Sequence, residues 1–492
     1  MLVGNFLQPG ADPMTQQSAL SRAMLALAVA VTLAGAAVAQ PASAAKTTNS
    51  AKSVKPQATA PAAAHALAVP FHSDDYEVAL AEARARNVPL FVDAWATWCH
   101  TCRSMKAYVL TDASLTPRAD EFVWFLMDVE NPKNAALKSR IPAEALPTFF
   151  VVNPKDESIA RRWVGGMTIV QLQGFLDDGK LAVAATNGAP QGRAETPLAK
   201  ADRLYGAADY KAAADAYLSA APAPSDPNFA RVAEATMYAL STSQRNAEGV
   251  AFADATLPSL VGTTSGASLT VGALGCALAL PEDTPGRAET IAKFEALTKE
   301  YLANPNIAMA DDDRSGMFGT LLDARTDAKD AAGAKAAAQA WATFLEGAAS
   351  RATTPDARAV FDSHRLAAYI ELGTPEKAIP MLQASEKALP NDYNPPARLA
   401  IAYNAMKQWD DALAATDRAL AKAYGPRALR SYQARSDAFA GKGDMAAARK
   451  TLDDAIAYAS ALPNPPTNSI AALTKKRDAI VVDGPTANSG GK

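Results

Sequence analysis

Two cysteines separated by two residues can do three kinds of chemistry, and the stretch "DAWATWCHTCR" at residues 93 to 103 raises all of them. Cys99 and Cys102 could supply half of a zinc site, lock a turn as a static disulfide, or cycle between dithiol and disulfide. A closed zinc site needs four ligands. The other candidates are Cys276 and the four histidines, with no second Cys-x-x-Cys and no histidine pair at ligand spacing, so no metal site is expected. A bridge across so short a loop removes little chain entropy and reinforces a fold poorly. At a helix start, by contrast, residues three apart have Cα atoms about 5 Å apart, within the range a disulfide accepts.

The residues around the pair fit redox chemistry. "HTCRSMKAYVL" is helix-compatible, so Cys99 falls at a helix N-terminus, where free N–H groups and the macrodipole lower a thiol from its usual value of about 8.5. Cys99 is therefore expected to be the exposed, attacking sulfur. A fall to about 7 raises the thiolate fraction at pH 7 about 15-fold and lowers nucleophilicity about 5-fold, a net gain of roughly 3-fold. The larger benefit lies in leaving-group ability, which lets Cys102 resolve a mixed disulfide quickly. His100, inside the motif, either tunes the thiolate or is a solvated turn residue. Trp98 reads as an exposed platform for a partner chain, and Trp95 as packing.

Certain elements must position these groups. "SDDYEVALAEARARN" opens with capping-type residues and sets Val78, Ala79 and Ala83 at helical spacing, which predicts a helix to about Arg86. "LFVDAW" then reads as a buried strand that delivers Asp93 and Trp95 inward. The dithiol helix follows, then strands at "EFVWFLMDV", "PTFFVV" and "SIARRWVG", and a closing helix at "TIVQLQGFLDDG".

The ends of the chain and its charge limit where such chemistry would take place. A net charge of −3 over 492 residues gives no electrostatic case for nucleic acid. "RAMLALAVAVTLAGAAVA" at 22 to 39 is an apolar run after one arginine that ends in small residues, which predicts a cleaved signal peptide over 1–39. Met14 is a more natural start than Met1. Residues 40–68 carry Ala, Pro, Ser and Lys without an apolar period and read as a flexible tether. No later stretch is apolar enough to span a bilayer, so a periplasmic or secreted chain without a stable membrane span is expected.

This order of elements resembles the thioredoxin fold. "PLFVDAWATWCHTC" is similar to that fold's buried strand, with an acid six residues before the first cysteine and a Trp-Cys-x-x-Cys turn into a helix. Leu146, Pro147 and Thr148 resemble its cis-proline element, and "WVGGMTIVQLQGFLDDG" its last strand and helix. "SMKAYVLTDASL" and "FLMDVENPKNAAL" are most similar to the C-terminal periplasmic domain of disulfide interchange proteins that carry electrons across the inner membrane. The resemblance covers about residues 70 to 183. It implies an α/β domain over 69–183 with a mixed sheet flanked by helices. It also implies that Asp93 is a buried base for Cys102, with a raised pKa, and that the backbone at Leu146 and a cis Pro147 binds extended substrate alongside Trp98 and His100. The lysine that often accompanies the acid is missing, since its place falls near Leu126. Cofactors beyond a redox-active Cys99–Cys102 disulfide are not expected.

After a second linker at 184–198 the chain reads as helices. "ELGTPEKAIPMLQASEKALP" and "NAMKQWDDALAATDRALAKA" align Ala378 with Ala412, and "AGKGDMAAARKTLDDAIAYA" continues the pattern at Ala448. A period of this size, with small residues at close helix contacts, resembles tetratricopeptide (TPR) repeats and implies an all-α solenoid over 199–478 that recruits proteins, ahead of a disordered tail at 479–492. "TTSGASLTVGALGCALALPEDTPG" fits no repeat, and Cys276 within it reads as a buried, inert thiol. Two functions fit these residues. One is an exported thiol–disulfide oxidoreductase acting on protein or peptide disulfides, with a thiol protein as electron donor or acceptor. The other is a non-catalytic TPR scaffold with a peptide-binding thioredoxin-like module.

Overall fold

The computed structural model describes residues 66–188 and 195–481. The expected signal peptide and almost all of the tether lie outside them, as do residues 482–492 of the expected tail. Among the described residues no helix is long and apolar enough to cross a membrane.

The first half is a five-stranded mixed sheet in the order β1-β3-β2-β4-β5. Its strands are β1 (Phe71–Ser73), β2 (Leu90–Trp95), β3 (Val123–Asp128), β4 (Thr148–Val152) and β5 (Ile159–Val164). β3 runs parallel to both β1 and β2, whereas β4 is antiparallel to β2 and to β5. The expected strands are present; β1 is an additional one, three residues too short to carry a period.

Both sheet faces are buried because each central strand is apolar at odd and even positions. Helix α1 (Tyr76–Arg86) covers one face, where Tyr76, Ala79, Leu80 and Ala83 meet Leu90, Val92, Phe125 and Phe150. Val78, read from its spacing as part of that face, is half-exposed instead. Asp75 caps α1 at the Val78 amide, and Asn87 ends it in the left-handed region at φ 53°. Helix α2 (His100–Ser104) carries the dithiol and continues as a π-helical turn over Met105–Val109. Helix α3 (Ile169–Gly188) covers the second face, setting Leu172, Phe175 and Leu176 on Phe91, Trp124 and Phe149. Each large apolar side chain so buried contributes roughly 2–3 kcal/mol. α3 runs through Gly188 and the next helix opens at Pro197, so the linker expected at 184–198 is shorter than that. The apolar face of α3 carries Val183 into the core and keeps the helix going past the predicted end.

The second half is all-helical, with successive helices packed on their chain neighbours. Ala378, Ala412 and Ala448, aligned by the repeat period, are all fully buried. The segment that fits no repeat forms the helix Thr264–Leu278, buried on nearly every side. A helix surrounded by protein needs no polar face, which is why its sequence shows no amphipathic period.

Candidate active site

β2 ends at Trp95, the chain turns, and Cys99 becomes the N-cap of α2. Its backbone is extended, and its Sγ accepts the Cys102 N–H at 3.0 Å. Cys99 and Cys102 are joined in a disulfide with Cα atoms 5.2 Å apart. The arrangement puts one sulfur where free helix N–H groups favour negative charge, and the other one turn deeper. Leu146, Trp95, Trp98 and Val129 pack around the pair, and the Leu146–Pro147 peptide is cis.

Asp93 lies inward on β2, opposite Leu126 on β3 and Phe149 on β4. It is fully buried, and neither carboxylate oxygen has a hydrogen-bond partner. Burial pushes its carboxyl up to about 7, against the pull of nearby Lys106. No lysine stands near Leu126, but Lys106 approaches Asp93 from a different element, the π-helical turn after α2. Its Nζ lies 2.7 Å from the centroid of the Trp95 ring. Burial pushes the ammonium well below its ordinary value, with Asp93 and Asp128 opposing that fall. The available signal was spacing, since Lys106 sits four residues after Cys102 and so on the same helical face.

The surroundings of Cys99 differ from expectation. Cys99 is 4% exposed and Cys102 not at all, and the helical half packs on the residues beside them. His100 Nδ1 lies 2.8 and 3.1 Å from the two carboxylate oxygens of Asp312, on the helix Asp311–Asp327. Arg103 pairs with Asp392 of the helical half while its Nε donates to the Thr97 carbonyl. Trp98, expected as an open platform, is capped by the Arg427 guanidinium at 4.3 Å from its ring, and its Nε1 donates to Glu130 Oε1 at 2.7 Å. The Arg427 amide reaches the other Glu130 oxygen at 3.3 Å, and Tyr424 bonds Asp128. Burial pushes the Glu130 carboxyl up to about 7, with Trp98 and Arg427 opposing. His100 is thus a contact to the helical half and not a solvated turn residue.

Burial opposes ionisation of Asp312, but His100 beside it holds the carboxyl below the ordinary range. His364, whose ring centroid lies 4.0 Å from that of His100, is pushed down to about 3 by burial and by His100. Spacing could not have found Asp312, His364 or Arg427, which lie in other regions of the chain. Cys276 is buried, 4.0 Å from the Met237 sulfur, and burial pushes its thiol up to about 11.

A family model described as thioredoxin-like matches residues 71–154. Residues 71–154 are a thioredoxin-like domain. Its β2, dithiol turn and β4 all fall inside the match, whereas β5, α3 and the helical half lie beyond it. A protein described as thiol:disulfide interchange protein DsbD, from Pseudoalteromonas atlantica, is 30% identical to this chain over 92 residues. The likeness covers 18% of this chain and 16% of that protein's length, so it concerns the thioredoxin-like domain's scale and not either whole molecule.

Proposed function

We propose that the chain is a thiol–disulfide oxidoreductase that reduces disulfides of protein or peptide partners. The single observation that carries this reading is the Cys99 sulfur at the N-cap of α2, accepting the Cys102 amide, with an unpartnered buried carboxylate at Asp93 behind it. In the reduced protein the Cys99 thiolate attacks one sulfur of a partner disulfide. A mixed disulfide forms, and the first partner thiolate leaves and takes a proton. Cys102 then gives its proton to Asp93 and attacks Cys99 Sγ. The second partner thiolate departs, and the Cys99–Cys102 disulfide remains. Two electrons pass from the dithiol to the partner, and a thiol protein returns them. The cysteine pair is the redox group this reading requires, without a further cofactor. Leu146, beside the pair and before the cis Pro147, offers backbone for an extended substrate, and Trp98 and His100 become available to it when the helical half lifts away.

The likeness to an interchange protein favours the reducing direction and a periplasmic or secreted setting, with residues 1–39 as the removed leader. The helical half, with alanines buried at a TPR-like period, recruits the partner. One observation favours the second reading, a scaffold that turns nothing over: both sulfurs are covered. Cys99→Ser separates the two. Insulin-type reduction by the prereduced chain should vanish in that variant, and Cys102→Ser should accumulate mixed disulfides at Cys99. Equal partner binding with no turnover in the unaltered chain would instead establish the scaffold.

A further inference from the structure

Three side chains from three elements converge beside the dithiol: His100 of α2, Asp312 at the start of the helix Asp311–Asp327, and His364 at the start of the helix Asp362–Glu371. Each can offer one donor atom, and these atoms lie within 4.8 Å of one another. Asp312 is 1% exposed and His364 8%, so the cluster is withdrawn from bulk water. A direct hydrogen bond accounts for His100 and Asp312 alone. It leaves unexplained why a second imidazole is clamped against them.

That second imidazole is held by its own support. His364 Nδ1 is 2.7 Å from Ser315 Oγ, and the same oxygen accepts the Trp341 Nε1–H at 2.7 Å. With Nδ1 so held, Nε2 is the nitrogen available to a ligand. Fixing a histidine through one nitrogen while the other binds is how outer partners orient metal ligands. Tetrahedral donors on bonds of about 2.0–2.2 Å lie about 3.3–3.6 Å apart, so an entering ion would replace the His100–Asp312 hydrogen bond, now 2.8 and 3.1 Å, with a shift of about half an ångström.

We propose that His100, Asp312 and His364 form a site for one divalent transition-metal ion that joins the dithiol turn to the helical half. Two imidazoles and a carboxylate suit zinc, or cobalt and nickel in its place, and suit calcium and magnesium poorly because those ions take oxygen donors. Three protein donors leave a fourth tetrahedral position for water. Because His100 lies inside the Cys-x-x-Cys turn, an ion there ties down the cover over Cys99. The proposal does not rest on the redox reading.

The test uses the full chain with its disulfide intact, so that neither cysteine can ligate. After chelator treatment and dialysis, zinc uptake is measured by equilibrium dialysis with elemental analysis. One zinc per chain is expected. Asp312→Asn and His364→Ala, checked for folding by circular dichroism, should each weaken uptake at least about 10-fold, the lower end of the loss seen when even outer-shell partners of metal sites are removed. Cobalt in the unaltered chain should give visible absorption without a thiolate charge-transfer band, a readout that stands if either variant fails to fold. Absence of stoichiometric zinc uptake, uptake unchanged in both folded variants, or a thiolate charge-transfer band in the cobalt-loaded chain would each overturn the proposal.

Discussion

A carboxylate without a hydrogen bond on either oxygen is costly to bury in its charged form, and Asp93 is buried in that condition. Its proton is therefore released only near pH 7, within the range where thiol exchange runs. In the proposed mechanism the step in which Cys102 displaces the partner needs Asp93 ionised, so its single-turnover rate should climb as pH rises through about 7. In Asp93→Asn that climb should disappear and the rate fall about 10²-fold or more, as loss of a general base does. Lys106 favours the ionised form, so Lys106→Met should move the inflection to higher pH. Rapid-quench measurement of mixed-disulfide decay between pH 5 and 9 checks both. At this scale the cysteines and Asp93 were legible because one strand and one turn fix their spacing. Lys106 was legible only as a residue on the Cys102 face of the helix, and its nearness to Asp93 was not, because that partner lies on another element.

α3 crosses β4 in close contact. A Cβ placed on Gly179 would lie 2.5 Å from Val151 Cγ2 and 2.9 Å from its Cβ, and Val151 is fully buried. Gly179→Ala should therefore destabilise the sheet half by about 1–3 kcal/mol, as overpacking in a filled core does. Pairing it with Val151→Ala should recover part of that loss, a non-additivity that denaturant melts of the three variants would read. β2 through β5 and the flanking helices were legible from apolar runs and turn residues. β1 was not, since three residues pair to β3 without a pattern of their own. The helix Thr264–Leu278 escaped periodicity for the opposite reason, being apolar all round.

In the whole molecule, the helical half is held over the dithiol by ties at Asp312, Asp392, Tyr424 and Arg427. If reagents reach Cys99 through lifting of that half, removing a tie worth about 1–2 kcal/mol should raise access about 5- to 30-fold. Arg427→Ala, which uncaps Trp98, and Asp392→Asn should accordingly speed reduction of the disulfide by dithiothreitol. Rates equal to those of the unaltered chain would mean that the cover does not control access. None of these ties was legible, because each joins residues whose nearness is a property of how the halves dock. The remaining thiol adds a readout of its own. Cys276 sits in the helical half, clear of the dithiol turn and shielded against the Met237 sulfur. A slow alkylating agent can mark it only after its own surroundings loosen, so the labelling time of this one spectator sulfur is a built-in stopwatch for breathing of the helices, readable by mass spectrometry alongside the redox pair.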